Sequence, residues 1–125
     1  MAGPKSHRAG IADGDQRRDF IYVDDVVRVM MWLLATPSVS GLFNVGTGKA
    51  RSFKDMMLAD FKALGKAPDI AYIEMPAEIR DSYQYFTERK VDRLCAAGYN
   101  GGFTALEDAV GHYVKNILAA ADRFR

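Results

Sequence analysis

Cysteine is nearly absent from the sequence, since Cys95 stands alone in 125 residues. A single cysteine cannot form an internal disulfide or a cysteine metal site, so a reducing, cytoplasmic setting is predicted. Its neighbours Leu94, Ala96 and Ala97 predict a small buried thiol rather than a reactive one.

An excess of one charge and long apolar runs are also missing. The net charge is +1, which disfavours a nucleic-acid partner. No apolar run approaches the roughly 20 residues that a membrane-spanning helix needs, and the first residues lack the apolar core of a secretory signal. No membrane partner is therefore expected. With 49% hydrophobic and 26% charged residues, the composition predicts one globular domain with a buried core.

Patterns that would mark a catalytic or metal site are absent as well. His7 and His112 have no motif around them, and no spacing of metal ligands occurs. No tyrosine is followed four residues later by lysine, a pairing that would lower its pKa and make it a base. The nearest pair is Tyr85 with Arg89, and arginine cannot relay a proton. We predict that His112 faces solvent.

A glycine-containing stretch at residues 41–48 resembles a phosphate-binding loop, because it joins a short apolar run to the start of a helix. A dinucleotide-binding loop would need a third glycine where this chain has Arg51. A P-loop would need serine or threonine where it has Ala50. Both motifs fail, so we predict a structural turn, with a weak anion site at the helix start Ser52 as the alternative.

The order of apolar segments predicts an α/β fold with about three short strands and four helices. The expected strands are residues 20–23, 42–45 and 69–75, and the expected helices begin at the caps Asp24, Ser52 with Asp55, Thr87, and Thr104 with Glu107. Strands that alternate with helices predict parallel neighbours. So small a sheet predicts part of a larger α/β protein.

The helix around Trp32 is apolar almost all round, which predicts burial on more than one side. Residues 1–18, by contrast, are basic and poor in large apolar side chains. Three interpretations of that segment remain open: a flexible start, a basic loop that orders around an anionic ligand, or a chain that begins in mid-fold. We therefore divide the chain into residues 1–18 and a binding domain of residues 19–125.

Two groups of side chains suit a binding function. Arg17 and Arg18 lie beside a predicted strand that would hold them in place, and a guanidinium group matches a diphosphate. Tyr83 and Tyr85 lie in a polar segment where they could stack on a sugar or hydrogen-bond to it. The alternatives are a surface arginine pair and tyrosines that pack the loop onto the core.

Several motifs resemble the extended short-chain dehydrogenase/reductase family, in particular its enzymes for nucleotide sugars. Residues 18–26, Arg-Asp-Phe-Ile-Tyr-Val-Asp-Asp-Val, are similar to that superfamily as a whole. Residues 41–53, 83–87 and 96–99 narrow the resemblance to the branch that acts on ADP-heptose. The similarity runs from about residue 5 to residue 118 and corresponds to the C-terminal third or so of such an enzyme.

This resemblance implies a substrate-binding domain whose Rossmann partner lies outside these 125 residues. In the family, the N-terminal Rossmann domain binds NADP and supplies the catalytic tyrosine and lysine. We therefore expect no catalytic or cofactor-binding residue here, and no activity from this chain alone. The implied reaction is epimerisation at C6 of ADP-D-glycero-D-manno-heptose by transient oxidation, in the synthesis of the lipopolysaccharide core precursor.

The resemblance also implies which residues contact ADP-heptose. Arg18 is expected to bind the diphosphate. The other expected contacts are Tyr83, the loop residues Lys5, Ser6 and His7, and Arg80 as a second anion contact. Asp81 stands where a small residue is expected, which predicts an altered loop shape.

A different class of function stays open beside this one. The chain could be a stand-alone, non-catalytic interaction or nucleotide-sugar-binding module of the same fold. In either case, apolar helix faces that a Rossmann domain would cover predict a homo-oligomer formed through those faces. A monomer without an exposed apolar patch would weaken the idea of a fragment.

Overall fold

Short strands and helices alternate along the chain in the computed structural model, which describes residues 1–119. The strands are β1 (Ala2–Pro4), β2 (Arg17–Arg18), β3 (Arg51–Ser52) and β4 (Ala71–Ile73). The helices are α1 (Val23–Ala35), α2 (Phe53–Ala63), α3 (Ala77–Arg80), α4 (Asp92–Ala96) and α5 (Leu106–Tyr113), which continues into a π-helical turn, Val114–Leu118. The α/β class is confirmed, but the expected count of three strands and four helices is too low for these residues.

The strands form two separate pairs. β1 lies parallel to β4, with Ala2 opposite Ala71 and Pro4 opposite Ile73. β2 lies antiparallel to β3, so the expectation of parallel neighbours is confirmed for the first pair and wrong for the second. A further parallel bridge joins Arg17 to Phe86, which brings the tyrosine-containing segment beside β2.

Two expected strands are wrong. Residues 20–22 are irregular and Val23 already begins α1, whose N-cap is Tyr22 rather than Asp24. Residues 42–45 form no strand either, and their apolar side chains Phe43 and Val45 pack against the core instead. Apolar, β-branched sequence favours a strand only where a neighbouring backbone is available for pairing, and neither segment has such a neighbour within residues 1–119.

Of the four expected helix caps, one is confirmed and, counting Asp24, three are wrong. Ser52 accepts a hydrogen bond from the Asp55 N–H at 3.0 Å, and the Asp55 carboxylate accepts one from the Ser52 N–H at 3.1 Å. Thr104 does not cap α5, because its N–H and hydroxyl both donate to the buried Asp25 at 2.7 Å. Thr87 does not begin a helix, since α4 starts at Asp92.

One cluster of the core lies between α1, α4 and the segment after α4. Val29, Leu94 and Tyr99 are its buried centre, and the partly buried side chains around them are Trp32, Leu33, Phe43, Val45 and Phe103. Leu94 takes the inward position of the short α4, and the next residue, Cys95, is exposed. The expectation of a buried thiol is therefore wrong.

An exposed apolar surface runs along α1. It consists of Val23, Val27, Met30, Met31 and Leu34, and is called the α1 stripe below. The exposed fractions reach 75% at Leu34, so burial of this helix on more than one side is not found in the described structure. Across residues 1–119, no helix is both long and apolar enough to cross a membrane.

Residues 1–18 contact the rest of the fold through backbone and side chain. β1 is one such contact. In addition, the Gln16 side chain is fully buried, and its amide donates to the Lys5 carbonyl at 3.0 Å. The carbonyl groups of Gly14 and Gln16 accept hydrogen bonds from the first residues of α2, Lys54 and Phe53. The division of the chain at residue 18 stays a prediction.

Candidate functional site

The glycine turn at residues 46–48 surrounds a carboxylate of the chain itself. Asp19 accepts hydrogen bonds from the Thr47 N–H at 2.7 Å and from the Thr47 hydroxyl at 2.5 Å. Its second oxygen accepts from the N–H groups of Gly48 and Arg89, each at 3.0 Å. A Cβ at Gly46 would lie 2.7 Å from Asp19 Oδ2, so glycine permits this close approach. The donors that a phosphate would use are therefore taken.

The electrostatics of Asp19 agree with a structural role. Partial burial alone would raise the pKa of this carboxyl, but the hydrogen bonds from Thr47, Arg89 and Gly48 outweigh it and hold the pKa below its usual value. The helix start at Ser52 is likewise satisfied by Asp55. Both observations favour the structural turn over the anion site that the sequence left open.

Arg18 is held beside two aromatic rings. Its guanidinium carbon lies 5.1 Å from the centroid of Tyr83 and 5.9 Å from that of Phe53. β2 fixes its backbone, and one guanidinium nitrogen donates to the Arg17 carbonyl at 2.8 Å. Stacking on aromatic faces restricts an arginine without using its planar donors, so the group stays available for an anion.

Tyr83 and Tyr85 have different environments. Their rings meet edge to face at 5.2 Å. Tyr85 is buried, its hydroxyl accepts from the His7 N–H at 3.1 Å, and its carbonyl accepts from the Arg17 N–H at 2.8 Å. Tyr85 therefore packs the segment onto the fold, whereas Tyr83 is half-buried beneath Arg18.

Three predicted site residues converge on one carboxylate, Glu74. Lys5 Nζ lies 2.7 Å from its Oε1, while His7 Nε2 and Arg80 Nη2 lie 3.2 and 3.5 Å from its Oε2. We call these four residues the Glu74 cluster. The hydrogen bond from Lys5 lowers the pKa of Glu74, and the same bond raises the pKa of Lys5.

Ser6 supports the loop that carries Lys5 and His7. Its N–H donates to an Asp13 carboxylate oxygen at 2.6 Å, and its hydroxyl oxygen accepts from the Arg8 N–H at 3.3 Å. These local contacts define the turn after β1 and so place the neighbouring side chains.

The six predicted substrate contacts form one continuous region. Arg18 stacks on Tyr83, Tyr83 contacts Tyr85, and Tyr85 hydrogen-bonds to His7, which joins the Glu74 cluster. A cavity of about 220 Å³ lies at this edge and has both Glu74 and Tyr83 in its lining. Their placement agrees with a shared site, and their contact with substrate stays a prediction.

Glu74 and Asp19 are the residues that sequence reasoning missed. Glu74 directly follows β4 and Lys5 directly follows β1, and the carboxyl ends of parallel strands lie at one edge. Recognition of β1 would have placed the two side chains together. Its three residues, Ala-Gly-Pro, carry no strand signal of their own.

A larger cavity lies elsewhere and contains none of the predicted site residues. It measures about 370 Å³ between α2, α5 and residues 20–22. At its edge the exposed His112 hydrogen-bonds to the Tyr22 hydroxyl at 2.6 Å, and burial raises the pKa of Asp60. Within residues 1–119, no group of three or more His, Cys, Asp or Glu side chains is placed to hold a metal ion.

Comparison with known proteins shows that the chain is similar to nucleotide-sugar epimerases. Residues 5–46 match the NAD dependent epimerase/dehydratase family. The fold is similar to that of a UDP-N-acetylglucosamine 4-epimerase from Methanobrevibacter ruminantium M1, solved in complex with UDP-N-acetylmuramic acid. The TM-score is 0.69 at 22% identity, over 84% of this chain and 32% of that one, and so shows the fold alone.

The particular resemblance is to ADP-L-glycero-D-manno-heptose-6-epimerase. A protein of that name from Nitratidesulfovibrio vulgaris strain DP4 is 56% identical, over 90% of this chain and 35% of its own length. Another, from Fusobacterium nucleatum, is 44% identical over 96% of this chain and 38% of its own length. The resemblance that the motifs indicated is confirmed, and the chain spans about a third of the length of these curated relatives.

Proposed function

We propose that this chain is the C-terminal, substrate-binding part of an NADP-dependent epimerase. The reaction would convert ADP-D-glycero-D-manno-heptose to the L-glycero epimer by transient oxidation at C6, in the cytoplasm, for the lipopolysaccharide core. The sequence similarity supports the class of enzyme. The observation that carries the substrate assignment is the connected region of Arg18, Tyr83 and the Glu74 cluster.

Each part of that region suits one part of a nucleotide sugar. The planar donors of Arg18 match two phosphate oxygens at once, which a lysine cannot do. Tyr83 offers a hydroxyl and a ring edge beside that arginine. Lys5 and Arg80 add positive charge at the neighbouring strand edge, and His7 adds a ring nitrogen there. Ser6 acts through the shape of the loop.

The glycine turn at residues 46–48 does not fit a phosphate of NADP. The only glycine turn that the sequence singled out has its N–H groups bonded to Asp19, which leaves no cradle for a phosphate. The cofactor and the catalytic tyrosine and lysine would come from residues outside this chain. We therefore expect no turnover when the chain is incubated with ADP-heptose and NADP and C6 epimerisation is followed; turnover would contradict the assignment.

Binding can be tested without catalysis. Titration calorimetry with ADP-heptose should show an affinity that falls roughly tenfold or more in Arg18→Ala, because a charge-assisted bidentate contact is lost. Arg17→Ala is the matched control, since that side chain lies next to Arg18 in β2 but is exposed. Equal loss in both variants, or no loss in Arg18→Ala, would rule out the diphosphate role of Arg18.

The exposed α1 stripe is compatible with both interpretations, the fragment and the alternative of a stand-alone interaction module. An apolar stripe on a helix that contributes Val29 to the core suits a partner surface. We propose that the isolated chain self-associates through it. Sedimentation velocity should show oligomers that dissociate in Met30→Glu and Leu34→Glu; a wild-type monomer would refute this proposal.

A further inference from the structure

Glu74 lies at the point in the candidate site where the side chains of Lys5, His7 and Arg80 meet. It follows β4 as Lys5 follows β1, so both leave the parallel pair at its carboxyl edge, where ligands bind in open α/β sheets. One oxygen faces Lys5 and the other faces His7 and Arg80. A carboxylate with donors on both oxygens resembles a bound anion in its contacts.

We propose that Glu74 is an internal counter-ion that keeps Lys5, His7 and Arg80 together and that an incoming diphosphate displaces from them. Glu74 is thus a positioning residue that acts through these three side chains and lowers the affinity of the site for anions. The inference rests on the proposed function in taking a diphosphate as the natural ligand.

The exposure of the cluster makes this exchange feasible. The side chain of Glu74 is 58% exposed and those of Lys5 and Arg80 are 40% and 38% exposed. Ion pairs in such a setting are weak, because water competes for both partners. A diphosphate carries more charge and more acceptor oxygens than one carboxylate, so it can outcompete Glu74 for the same donors.

Lys5, His7 and Arg80 are each also held by a contact that does not involve Glu74. The Lys5 N–H donates to the Ile73 carbonyl at 2.9 Å, and the His7 N–H donates to the Tyr85 hydroxyl. Arg80 Nε donates to the Met75 carbonyl at 2.8 Å. Loss of the Glu74 charge should therefore leave the backbones of Lys5 and His7 and the Arg80 side chain near their places, with the side-chain nitrogens free for an anion.

The test is calorimetric titration of the whole chain with inorganic pyrophosphate. Glu74→Gln keeps the shape of the side chain and removes its charge, and we expect pyrophosphate to bind about fivefold more tightly than to the wild type. Glu78→Gln is the control, because Glu78 is exposed on α3 and takes no part in the cluster. Unchanged or weaker binding in Glu74→Gln would overturn the proposal, since damage to the fold cannot produce a gain.

A second measurement follows Glu74 directly. Carboxyl NMR titration should find its pKa below the usual value in the free chain, because Lys5 donates to it, and higher at saturating pyrophosphate. A pKa that pyrophosphate does not move would mean that Glu74 is not displaced.

The outcomes separate this inference from the proposed function. Suppose that Glu74→Gln binds pyrophosphate more tightly but the chain does not bind ADP-heptose. This result would support the role of Glu74 as a counter-ion and rule out the nucleotide sugar as the ligand. If instead ADP-heptose binds through Arg18 and Glu74→Gln does not bind pyrophosphate more tightly, the proposed function would be supported and the counter-ion role of Glu74 ruled out.

Discussion

Asp19 and Glu74 both accept several hydrogen bonds or ion pairs, and they differ in what their donors are. Asp19 accepts from backbone N–H groups of Thr47, Gly48 and Arg89, which belong to two separate segments. Glu74 accepts from long, partly exposed side chains. Backbone donors in a turn have no other partner within reach, whereas side chains can turn to a ligand.

The difference explains why the more conspicuous loop, the glycine turn, is the weaker candidate for an anion site. The glycine turn resembles a phosphate site, yet the carboxylate inside it is part of the fold. The Glu74 cluster has no recognisable motif, and its donors remain exchangeable. Under the proposed function, the chain uses the two carboxylates differently: Asp19 is a fixed acceptor, and Glu74 is an exchangeable counter-ion.

The largest expected effect contrasts the two residues in stability. Asp19→Ala should lower the free energy of unfolding by about 3 kcal/mol, because several N–H groups lose a charged acceptor. Glu74→Ala should leave it unchanged within error, since its partners stay solvated. Urea unfolding followed by Trp32 fluorescence measures both. Asp69→Ala, at an exposed position, is the control; equal losses at Asp19 and Glu74 would end the comparison.

The glycine turn can be tested by its space requirement. In Gly46→Ala the new Cβ would lie 2.7 Å from both Arg89 Cβ and Asp19 Oδ2, and we expect a loss of about 2 kcal/mol. Gly111→Ala in α5 meets nothing within 4 Å and should gain about 0.5 kcal/mol, as alanine suits a helix better. The same urea experiment measures both variants. An unchanged free energy of unfolding in Gly46→Ala would show that the turn can accommodate the extra methyl group.

Acid should act through Asp19 and Asp55, whose pKa values are lowered in the folded chain. Partial burial opposes the shift at both, and hydrogen bonds outweigh it. A lowered folded pKa contributes stability above the unfolded pKa, and that stability is lost as the pH falls through the folded pKa. Unfolding free energies should therefore drop below about pH 4, and less so in Asp19→Asn. An equal drop in the variant would contradict the assignment to Asp19.

The smallest effect concerns another carboxylate, that of Asp60, which is partly buried and accepts no hydrogen bond from a residue within 1–119. Burial raises its folded pKa, so its contribution to stability falls as the pH rises through the unfolded and then the folded pKa. At neutral pH Asp60→Asn should raise the unfolding free energy by about 0.5 kcal/mol or less. Asp69→Asn serves as the exposed control. A loss of stability in Asp60→Asn would mean that its charge has a partner.

The sequence predicted features whose causes lie within a few residues. The capping box of Ser52 and Asp55 closes over three residues, and α1 ends before Pro37, as expected. Arg18 is held by a strand pair, though by β2 itself rather than by the expected strand at residues 20–23. The exposed His112 was also correct.

The failures involve partners far along the chain. Thr104 has every local requirement of a cap, but Asp25, 79 residues away, takes both of its donors. Its expected box partner, Glu107, pairs with Arg51 across 56 residues. Glu74 meets Lys5 across 69 residues. Composition and periodicity carry no information on contacts between residues so far apart in sequence. Some residues of the candidate site could therefore be predicted, but not how they contact one another.

The parallel pair of β1 and β4 has a consequence for the order of folding. Ala2 must find Ala71 after almost all of the intervening chain has been made, and closure of so long a loop carries an entropic penalty. Helices and nearby turns form much sooner. We therefore expect the strand edge that carries Lys5 and Glu74 to assemble late and to open before the core. Hydrogen exchange at Lys5 should be faster than at Val29, and the capacity to bind should disappear before the core melts.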